Sequence, residues 1–409
     1  MTTVDIDRIA AGGSGVGRLP NGKTVFVPRT APGDRVHVEV TNEKARWAHA
    51  RAVEYETLGS RRTEPPCVHY MRDGCGGCQI QHLHDDAQRA AKSQLIGEAL
   101  RRIGKREVED PLVRQAPAPW RYRTKITLAV DPATGVIGLH RLDTPALLFE
   151  PDDCLITREP VMTLWRRVRQ AREMLPRDLV QLILREDREG RVHAIVVSPG
   201  PWNAAPLAGA VGDANLSIWW KPARGAARVV AGPETGFPAT AFEQSSSELA
   251  TEIRTRAGEF LRPTIEGVAW DLYGGVGDTA RLLADFGARV WTVDADRRAH
   301  GWGKNVTRGS SAGSIQFVTE RVEDAIRSLP PAQNLVLNPP RTGVVERVTE
   351  AIDRLAREGA RRMAYISCDP ATLARDLRRL PSWEVVGLEG YDLFPQTSHV
   401  ETLVLLEAG

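Results

Sequence analysis

The C-terminal part of the 409-residue chain alternates short apolar runs with helix-length amphipathic segments. The runs have the length of buried strands, and they cover residues 268–272, 290–293, 335–337, 364–366, 384–388 and 400–406. Residues 279–286 are typical of the helical segments between them. This alternation predicts a parallel, doubly wound sheet with helices on both faces. We therefore expect an α/β domain over residues 236–409.

The first 60 residues have a different pattern. Short runs at 25–27, 36–40 and 48–55 are separated by tight-turn residues, which predicts a small closed β-barrel because closure removes exposed strand edges. Residues 61–235 are expected to form a mixed, β-rich central domain. A helix is predicted over residues 85–104, where it is positioned to pack on the C-terminal domain. Its expected apolar face consists of Ala90, Leu95, Ile96, Ala99 and Leu100.

Composition places the chain among ordinary globular proteins, with 42% hydrophobic and 26% charged residues. No apolar stretch approaches the roughly 20 residues that span a bilayer, and the N-terminus lacks a secretory pattern. We therefore expect a cytoplasmic protein without membrane contact, acting as a monomer. The formal net charge of +2 excludes neither nucleic acids nor small molecules as partners. Any RNA binding must then rely on local basic patches.

A glycine-rich turn over residues 271–278 follows an apolar strand and opens a helix. Small residues at such a turn let the backbone approach a ligand closely. Asp294 ends the next strand, where a carboxylate can accept hydrogen bonds from ribose hydroxyls. The turn does not match the dinucleotide pattern G-x-G-x-x-G. It is more similar to the S-adenosylmethionine loop of class I methyltransferases, and the alternative is a strand–helix turn without a ligand.

Two later segments offer chemistry at strand ends. Cys368 lies at the end of a strand and just before a helix that Pro370 can begin, which favours the thiolate form of a nucleophile. The alternative is a buried structural cysteine. Glu401 precedes a very apolar strand and is a candidate general base if it faces the cleft. The alternative for Glu401 is a solvated acid at a strand end.

Together these segments resemble the RNA (uracil-5-)-methyltransferases, which make 5-methyluridine in bacterial transfer and ribosomal RNA. The resemblance covers nearly the whole chain, and its motifs are Gly12–Gly17 with Val25–Pro28, Ser367–Asp376 and Phe394–Glu401. It implies an N-terminal TRAM barrel that binds RNA and a C-terminal Rossmann-like class I methyltransferase domain. It also implies that Cys368 adds to carbon 6 of uracil and that Glu401 removes the carbon-5 proton. The implied S-adenosylmethionine-binding residues are Gln244, Tyr273, Gly275, Asp278, Asp294 and Asn338.

Four further cysteines remain, namely Cys67, Cys75, Cys78 and Cys154. Four thiolates suit either zinc or an iron–sulfur cluster, and spacing alone leaves the choice open. The family resemblance implies a structural [4Fe–4S] cluster, as in the branch that modifies ribosomal RNA. Ribosomal RNA is accordingly the favoured substrate and transfer RNA the alternative. The gap between the first two cysteines is two residues longer than the commonest form.

Two residues depart from the family pattern, and they motivate other readings. Asn338 replaces an expected Asp, and Arg321 stands where Asn or Asp is expected near the adenine. Asn338-Pro339-Pro340 also resembles the motif of adenine or cytosine amino-methyltransferases, although Arg341 replaces their stacking aromatic residue. The non-enzymatic alternative is an RNA-binding assembly factor. The segment Trp120–Lys125, which mixes aromatic and basic residues, is a candidate RNA strip or an ordinary strand entry.

Overall fold

The structure is a computed structural model that describes residues 2–234, 236–308 and 313–409. The chain divides into two compact units. The first unit comprises Met1–His84, Ala118–Thr240 and Pro395–Thr397. The second comprises Asp85–Pro117, Ala241–Phe394 and Ser398–Gly409. Residue 235, the expected end of the central domain, lies outside the described residues.

The first unit begins with a closed β-barrel. Its strands are β1 (Thr2–Ile9), β2 (Gly15–Arg18), β3 (Thr24–Val27), β4 (Arg35–Glu43) and β5 (Trp47–Thr57), in the order β1-β2-β3-β5-β4. Side chains alternate between the barrel core and the outside, so that Val25 and Val27 are fully buried. The predicted barrel is confirmed. Val36 and Val38 point into the core as expected, but Val40 is 40% exposed because the inward alternation of β4 ends at Val38.

A mixed sheet completes the first unit. Within the described part of the chain it contains seven strands in the order β13-β12-β11-β10-β7-β8-β9. They are β7 (Lys125–Val130), β8 (Ile137–His140), β9 (Leu148–Phe149), β10 (Gln181–Glu186), β11 (Val192–Val197), β12 (Leu216–Lys221) and β13 (Arg228–Ala231). The accompanying helices are α1 (Val68–Met71), α3 (Glu159–Gln170) and α4 (Ala205–Val211). Helix α3 buries Trp165 against Leu128 and Leu182 of the sheet, which forms a core of its own.

The second unit is a doubly wound sheet. Its described strands are ordered β16-β15-β14-β17-β18-β20-β19-β6, and only β20 is antiparallel to its neighbours. The strands are β6 (Val113–Arg114), β14 (Val268–Leu272), β15 (Arg289–Val293), β16 (Ser314–Val318), β17 (Asn334–Leu337), β18 (Arg362–Ser367), β19 (Trp383–Tyr391) and β20 (Glu401–Ala408). The helices are α2 (Asp85–Ala99), α5 (Ser247–Leu261), α6 (Asp278–Asp285), α7 (Arg297–Thr307), α8 (Val322–Ala325), α9 (Glu346–Arg357) and α10 (Pro370–Arg378).

This sheet confirms the predicted α/β architecture. Its central strands β14, β17 and β18 are buried almost throughout, as parallel strands covered by helices on both faces must be. The carboxyl ends of parallel strands form a common edge, where ligands bind in open α/β sheets. The residues that follow β14, β15, β17 and β18 therefore form the natural ligand edge of this unit.

Helix α2 differs in detail from the predicted segment. It ends as an α-helix at Ala99 and continues as a π-helical turn over Leu100–Gly104. Ala90 is exposed, contrary to the predicted face, whereas Ala91 and Ile96 are buried. The buried face is rotated because it accommodates Lys92, a residue that the apolar pattern does not count. No helix in the described ranges is long and apolar enough to cross a membrane.

Candidate active site

The glycine-rich turn after β14 has a backbone that only small residues tolerate at two points. A Cβ on Gly274 would stand 2.1 Å from Oγ1 of Thr292, so any side chain there would clash. Gly277, which precedes α6, has a φ of +79°, in the left-handed region that favours glycine. Tyr273 has a φ of 63° as well, and its backbone N–H donates to the carbonyl oxygen of Val293. The turn is therefore fixed against the end of the neighbouring strand.

Asp294 follows β15 and is tied directly to this turn. Its Oδ2 accepts from the backbone N–H of Gly275 at 3.0 Å, and its Oδ1 accepts from that of Asp296 at 2.8 Å. The structure thus brings together the two features that the sequence paired as a nucleoside site. Each carboxylate oxygen retains a lone pair for a ligand hydroxyl. We refer to the turn 271–278 together with Asp294 as the cofactor end.

Asp271 lies beneath the turn and is almost completely buried. Burial, together with the charges of Asp294 and Asp278, raises the pKa of its carboxyl to about 7. The hydroxyl of Thr292 donates to its Oδ2 at 3.0 Å, which opposes the shift. Asp271 therefore supports the turn from below with a satisfied hydrogen bond.

Three other expected cofactor residues lie in this turn or beside it. Tyr273 is half-buried, and burial followed by the charge of Glu323 raises the pKa of its hydroxyl. Asp278 forms an ion pair with Arg281 in the first turn of α6. Asn338 follows β17, and its backbone N–H donates to the carbonyl oxygen of Leu272 at 3.2 Å.

Arg321, which stands at the expected adenine position, and Gln244, an expected cofactor residue, are the other two residues that the family resemblance singles out here. Arg321 is largely exposed and forms an ion pair with Glu323 at 2.7 Å, which makes Glu323 the acid that faces Tyr273. Gln244 is half-buried in the loop before α5, and its side chain makes no hydrogen bond within the described ranges. The structure therefore does not connect Gln244 to the turn.

Cys368 lies between β18 and α10, as predicted, and Pro370 is the first residue of that helix. The expected bias toward thiolate is wrong for this structure. Burial raises the pKa of the Cys368 thiol, and the charge of Glu401 raises it further. Asp369 caps the helix, because its Oδ1 accepts from the backbone N–H of Thr372 at 2.8 Å, and its negative charge is a smaller cause that also raises the pKa of Cys368. Burial of the thiol therefore outweighs the effect of the nearby helix N-terminus.

Glu401 is placed opposite Cys368 by strand register. Ser367 of β18 pairs with Thr402 of the antiparallel strand β20. Cys368, which follows Ser367, therefore lies across from Glu401, which precedes Thr402. Glu401 is only 1% exposed, which rules out the solvated strand-end acid. Its Oε2 has no hydrogen-bond partner among the described residues. Burial raises the pKa of this carboxyl to about 8.

Arg341 is the residue that offsets these shifts. Its charge lowers the pKa of both Cys368 and Glu401, although its own side chain is exposed. The sequence treated Arg341 only as a missing aromatic residue, so this electrostatic link was missed. We refer to Cys368, Glu401 and Arg341 as the cysteine end of the site.

A buried carboxylate on α10 fixes the loop that bears Arg341. Oδ2 of Asp376 accepts from the hydroxyl of Tyr365 and from the backbone N–H of Val344, each at 2.8 Å. The hydroxyl of Thr372 donates to the carbonyl oxygen of Arg341 at 3.0 Å. Helix α10, which follows Cys368, therefore also holds the loop that bears Arg341.

Lys92 is another residue that the sequence missed. Its side chain is fully buried, and Nζ donates to Oδ1 of Asp392 at 2.5 Å and to the carbonyl oxygen of Phe394 at 3.1 Å. Burial lowers the pKa of Lys92, while Asp392 opposes that shift. The contact fixes the chain just before the segment that leads to Glu401. A helical lysine is usually solvated, so no sequence signal indicated this role.

The four remaining cysteines lie in the first unit. Cys78 is 8% exposed and the others are half-buried. Cys154 raises the pKa of Cys67, Cys75 and Cys78 through its charge, although burial is the larger cause in each case. The thiols therefore share one electrostatic neighbourhood. Across the described ranges, however, no group of three or more His, Cys, Asp or Glu residues is arranged to hold a metal ion.

Two residues of the candidate RNA strip Trp120–Lys125 make hydrogen bonds within the protein. The guanidinium of Arg121 binds Asp153 through two hydrogen bonds of 2.9 and 2.6 Å. Tyr122 is 7% exposed, and its hydroxyl donates to the carbonyl oxygen of Pro395 at 2.9 Å. For these two residues the ordinary strand entry is the better interpretation.

The doubly wound sheet, the glycine turn with its acid, and Cys368 and Glu401 at the same strand ends have the fold and residue types of a transferase that binds a nucleoside cofactor. Comparison with known proteins narrows this class. Residues 2–53 match the TRAM domain model, and residues 321–409 match the model described as tRNA (Uracil-5-)-methyltransferase. The chain belongs to the RNA (uracil-5-)-methyltransferase family and is an S-adenosylmethionine-dependent enzyme. The amino-methyltransferase and non-enzymatic alternatives are therefore set aside.

Similar proteins span almost the same length. The "uncharacterized RNA methyltransferase tlr0942" of Thermosynechococcus vestitus is 30% identical over 98% of this chain and 96% of its own length. The "23S rRNA (uracil(1939)-C(5))-methyltransferase RlmD" of Halomonas elongata is 32% identical over 98% of this chain and 88% of its own. In fold, the chain is similar to the tRNA (uracil-54, C5)-methyltransferase of Pyrococcus abyssi, solved with S-adenosyl-L-homocysteine. The TM-score is 0.75 at 21% identity, covering 98% of this chain and 99% of that one.

Proposed function

We propose that this enzyme methylates carbon 5 of a uridine in 23S ribosomal RNA. Relatives of similar length carry that activity in their names, and one of them is 32% identical to this chain. The observation that carries the proposal is the Oε2 atom of Glu401, which is buried opposite Cys368 and has no hydrogen-bond partner among the described residues. An unsatisfied buried carboxyl is costly, which is expected where a substrate completes the site.

In the proposed reaction, Cys368 first loses its proton to solvent, and the sulfur of the resulting thiolate forms a bond to carbon 6 of the uracil ring. The electron pair of the C5–C6 double bond moves to give an enolate, and carbon 5 then attacks the methyl group of S-adenosylmethionine. The methyl–sulfonium bond breaks, and S-adenosylhomocysteine leaves. The covalent bond thus converts a poor carbon nucleophile into a reactive one.

Glu401 completes the proposed cycle. As a carboxylate it takes the proton from carbon 5, the electron pair reforms the C5–C6 bond, and Cys368 leaves as a thiolate. A base must be ionised to act, and the pKa of about 8 keeps much of Glu401 protonated near neutral pH. The charge of Arg341 lowers the pKa of both Cys368 and Glu401, so it favours their ionised forms although both groups are buried.

We assign the cofactor end to S-adenosylmethionine. Asp294 is suited to accept hydrogen bonds from the ribose hydroxyls, while Gly275 and its neighbours allow close approach of the backbone. Tyr273, Asp278 and Asn338 are proposed to contact the rest of the cofactor, and Gln244 is proposed from the family motif alone. A Cβ at Gly274 would clash with Thr292, so this turn keeps its close geometry only with glycine at that position.

We further propose that Cys67, Cys75, Cys78 and Cys154 hold a structural [4Fe–4S] cluster, with zinc as the alternative. Four thiols in one electrostatic neighbourhood supply the right donors. A tetrahedral zinc site needs four sulfurs at about 2.3 Å from one ion. Four thiols suit either group, and the family resemblance is what favours the cluster. Iron and sulfide assays on protein purified without oxygen test this assignment, and a zinc-only protein would contradict it.

The substrate is tested in cells that lack the gene. Ribosomal and transfer RNAs are separated, digested and analysed by mass spectrometry for 5-methyluridine, and the digests are compared with those of complemented cells. We expect one 5-methyluridine to disappear from 23S RNA only. Loss from transfer RNA alone would refute the ribosomal assignment. Complementation with Cys368→Ala is the matched control, because it keeps the fold while removing the proposed nucleophile.

A further inference from the structure

The outer surface of the barrel carries three aromatic rings packed against one another. Phe26 lies on β3, and Trp47 and His49 lie on the parallel neighbour β5. The ring centroids of Phe26 and Trp47 are 6.3 Å apart, those of Phe26 and His49 5.5 Å, and those of Trp47 and His49 5.0 Å. We call these three residues the aromatic platform.

The alternation of the two strands explains why the platform faces outward. Val25, Val27, Ala48 and Ala50 fill the barrel core, so the residues between them point away from it. The barrel core in the described ranges does not include Phe26 or Trp47, which are half-buried, and His49 is exposed. Barrel stability therefore does not require three large rings at these positions.

The charges next to the platform are arranged for an anionic partner. Lys44 and Arg46 are exposed in the turn that leads into Trp47, and neither side chain forms an ion pair within the part of the chain that the structure describes. The nearest acid in sequence, Glu43, is neutralised by Lys23 at 2.6 Å. The surface thus combines two partly exposed rings and one exposed ring with two cations that form no ion pair among the described residues.

We propose that the aromatic platform stacks unpaired bases of the RNA substrate, while Lys44 and Arg46 bind the adjoining phosphates. This rests on the proposed RNA methylation, and it names the surface that receives RNA outside the active site. Flat rings with cations beside them suit unpaired bases, since every base offers a π-face and every nucleotide a phosphate. A protein partner is disfavoured because two exposed cations, Lys44 and Arg46, lie next to Trp47 in the chain, and charged residues are depleted in the centre of protein interfaces; that occupant is an outcome of the test.

The test measures RNA affinity of the full-length protein by fluorescence anisotropy. The probes are a fluorescein-labelled uridine single strand of about twelve nucleotides, within the range that one such barrel binds, and its duplex with the complementary strand. Trp47→Ala is expected to weaken single-strand binding about 5- to 160-fold, from about 1–3 kcal/mol per stacked base, and duplex binding much less. Trp47→Phe, which keeps a ring, should stay near the wild type.

Val53→Ala is the matched control, because Val53 lies on the same strand, is 44% exposed and is not part of the platform. His49→Ala replaces an exposed ring and serves as the second variant, so that a folding defect in Trp47→Ala cannot hide the effect. Combined replacement of Lys44 and Arg46 by alanine should reduce the dependence of affinity on salt, whereas Trp47→Ala should leave it unchanged.

Unchanged single-strand affinity in both ring variants would overturn the platform, and so would an equal loss on single strand and duplex. In either case a protein would be the better occupant. Methylation of 23S RNA is measured in parallel. Intact methylation with unaffected ring variants refutes the platform alone, whereas a wild-type protein that neither binds nor methylates RNA refutes the proposed function itself.

Discussion

The cofactor end and the cysteine end of the active site differ in how completely the chain satisfies its own polar groups. At the cofactor end, Asp294 accepts two backbone hydrogen bonds and Asp271 accepts one from Thr292. At the cysteine end, Glu401 has a buried oxygen with no partner in the described ranges, and Cys368 carries a raised pKa. One end is preorganised, and the other is left incomplete.

This difference separates binding from chemistry. A satisfied network holds its shape without a ligand, which suits a site that must present a fixed surface to a cofactor. An unsatisfied carboxyl costs stability, and such cost is tolerated where the group must exchange protons with a substrate. We therefore expect substitutions at the cysteine end to affect turnover and those at the cofactor end to affect affinity.

Replacing Cys368 by alanine should have the largest effect. Without the sulfur nucleophile, carbon 5 of uracil is not activated, and we expect methyl transfer to fall by about 10⁴-fold or more. The measurement is transfer of labelled methyl groups from S-adenosylmethionine to RNA. Cofactor binding by calorimetry should remain unchanged, because Cys368 is not part of the cofactor end. Substantial methyl transfer by Cys368→Ala would contradict the proposed covalent step.

Replacing Glu401 by glutamine should rank second. Loss of the base is expected to slow turnover by about 10²–10⁴-fold, while Cys368 still adds to the ring and the methyl group is still transferred. The covalent RNA–protein adduct should then accumulate and migrate slowly on a denaturing gel. Cys368→Ala/Glu401→Gln is the control, since it must form no adduct. A Glu401→Gln enzyme that turns over normally would assign the base elsewhere.

The same substitution should stabilise the protein. The folded-state pKa of Glu401, about 8, lies above its ordinary value of 4.5. The unfolded chain therefore releases the proton first as pH rises, and the carboxyl costs stability increasingly from about 4.5 up to about 8. Glutamine never ionises, so Glu401→Gln should raise the free energy of unfolding by about 1–3 kcal/mol at neutral pH. Thermal unfolding at acidic and neutral pH checks this, and the gain should vanish in acid.

The pH dependence of turnover follows from the same group. Below about 8 most Glu401 is protonated in the free enzyme and cannot act as a base. Burial also raises the pKa of Cys368, so both groups favour alkaline conditions. We expect turnover to rise by at least tenfold per pH unit below about 8, because Glu401 must be ionised, and to continue rising above that pH until Cys368 is ionised as well. A profile that is flat through this range would contradict the buried-base assignment.

The sequence predicted the doubly wound sheet and the barrel because both follow from the period of apolar residues. It also offered Cys368 and Glu401 as candidates, because each lies next to an apolar strand, and the family resemblance supplied the role proposed for Glu401. It did not place them opposite each other, because that depends on the antiparallel register of β18 and β20. Lys92 was missed for a related reason, since only tertiary packing shows a helical lysine buried against Asp392. The thiolate expectation failed because burial and the charge of Glu401 raise the pKa of Cys368, and both depend on the tertiary fold.

The smallest expected effect lies at the cofactor end. Asp294→Asn keeps an amide oxygen for the backbone N–H of Gly275 but loses the charge that strengthens hydrogen bonds to ribose hydroxyls. We expect affinity for S-adenosylhomocysteine, measured by calorimetry, to fall about tenfold, as one charge-assisted hydrogen bond of about 1.5 kcal/mol implies. Turnover at saturating cofactor should remain near that of the wild type. If Asp294→Asn instead lowered kcat with unchanged affinity, Asp294 would belong to the chemistry, and the separation between the two ends would fail.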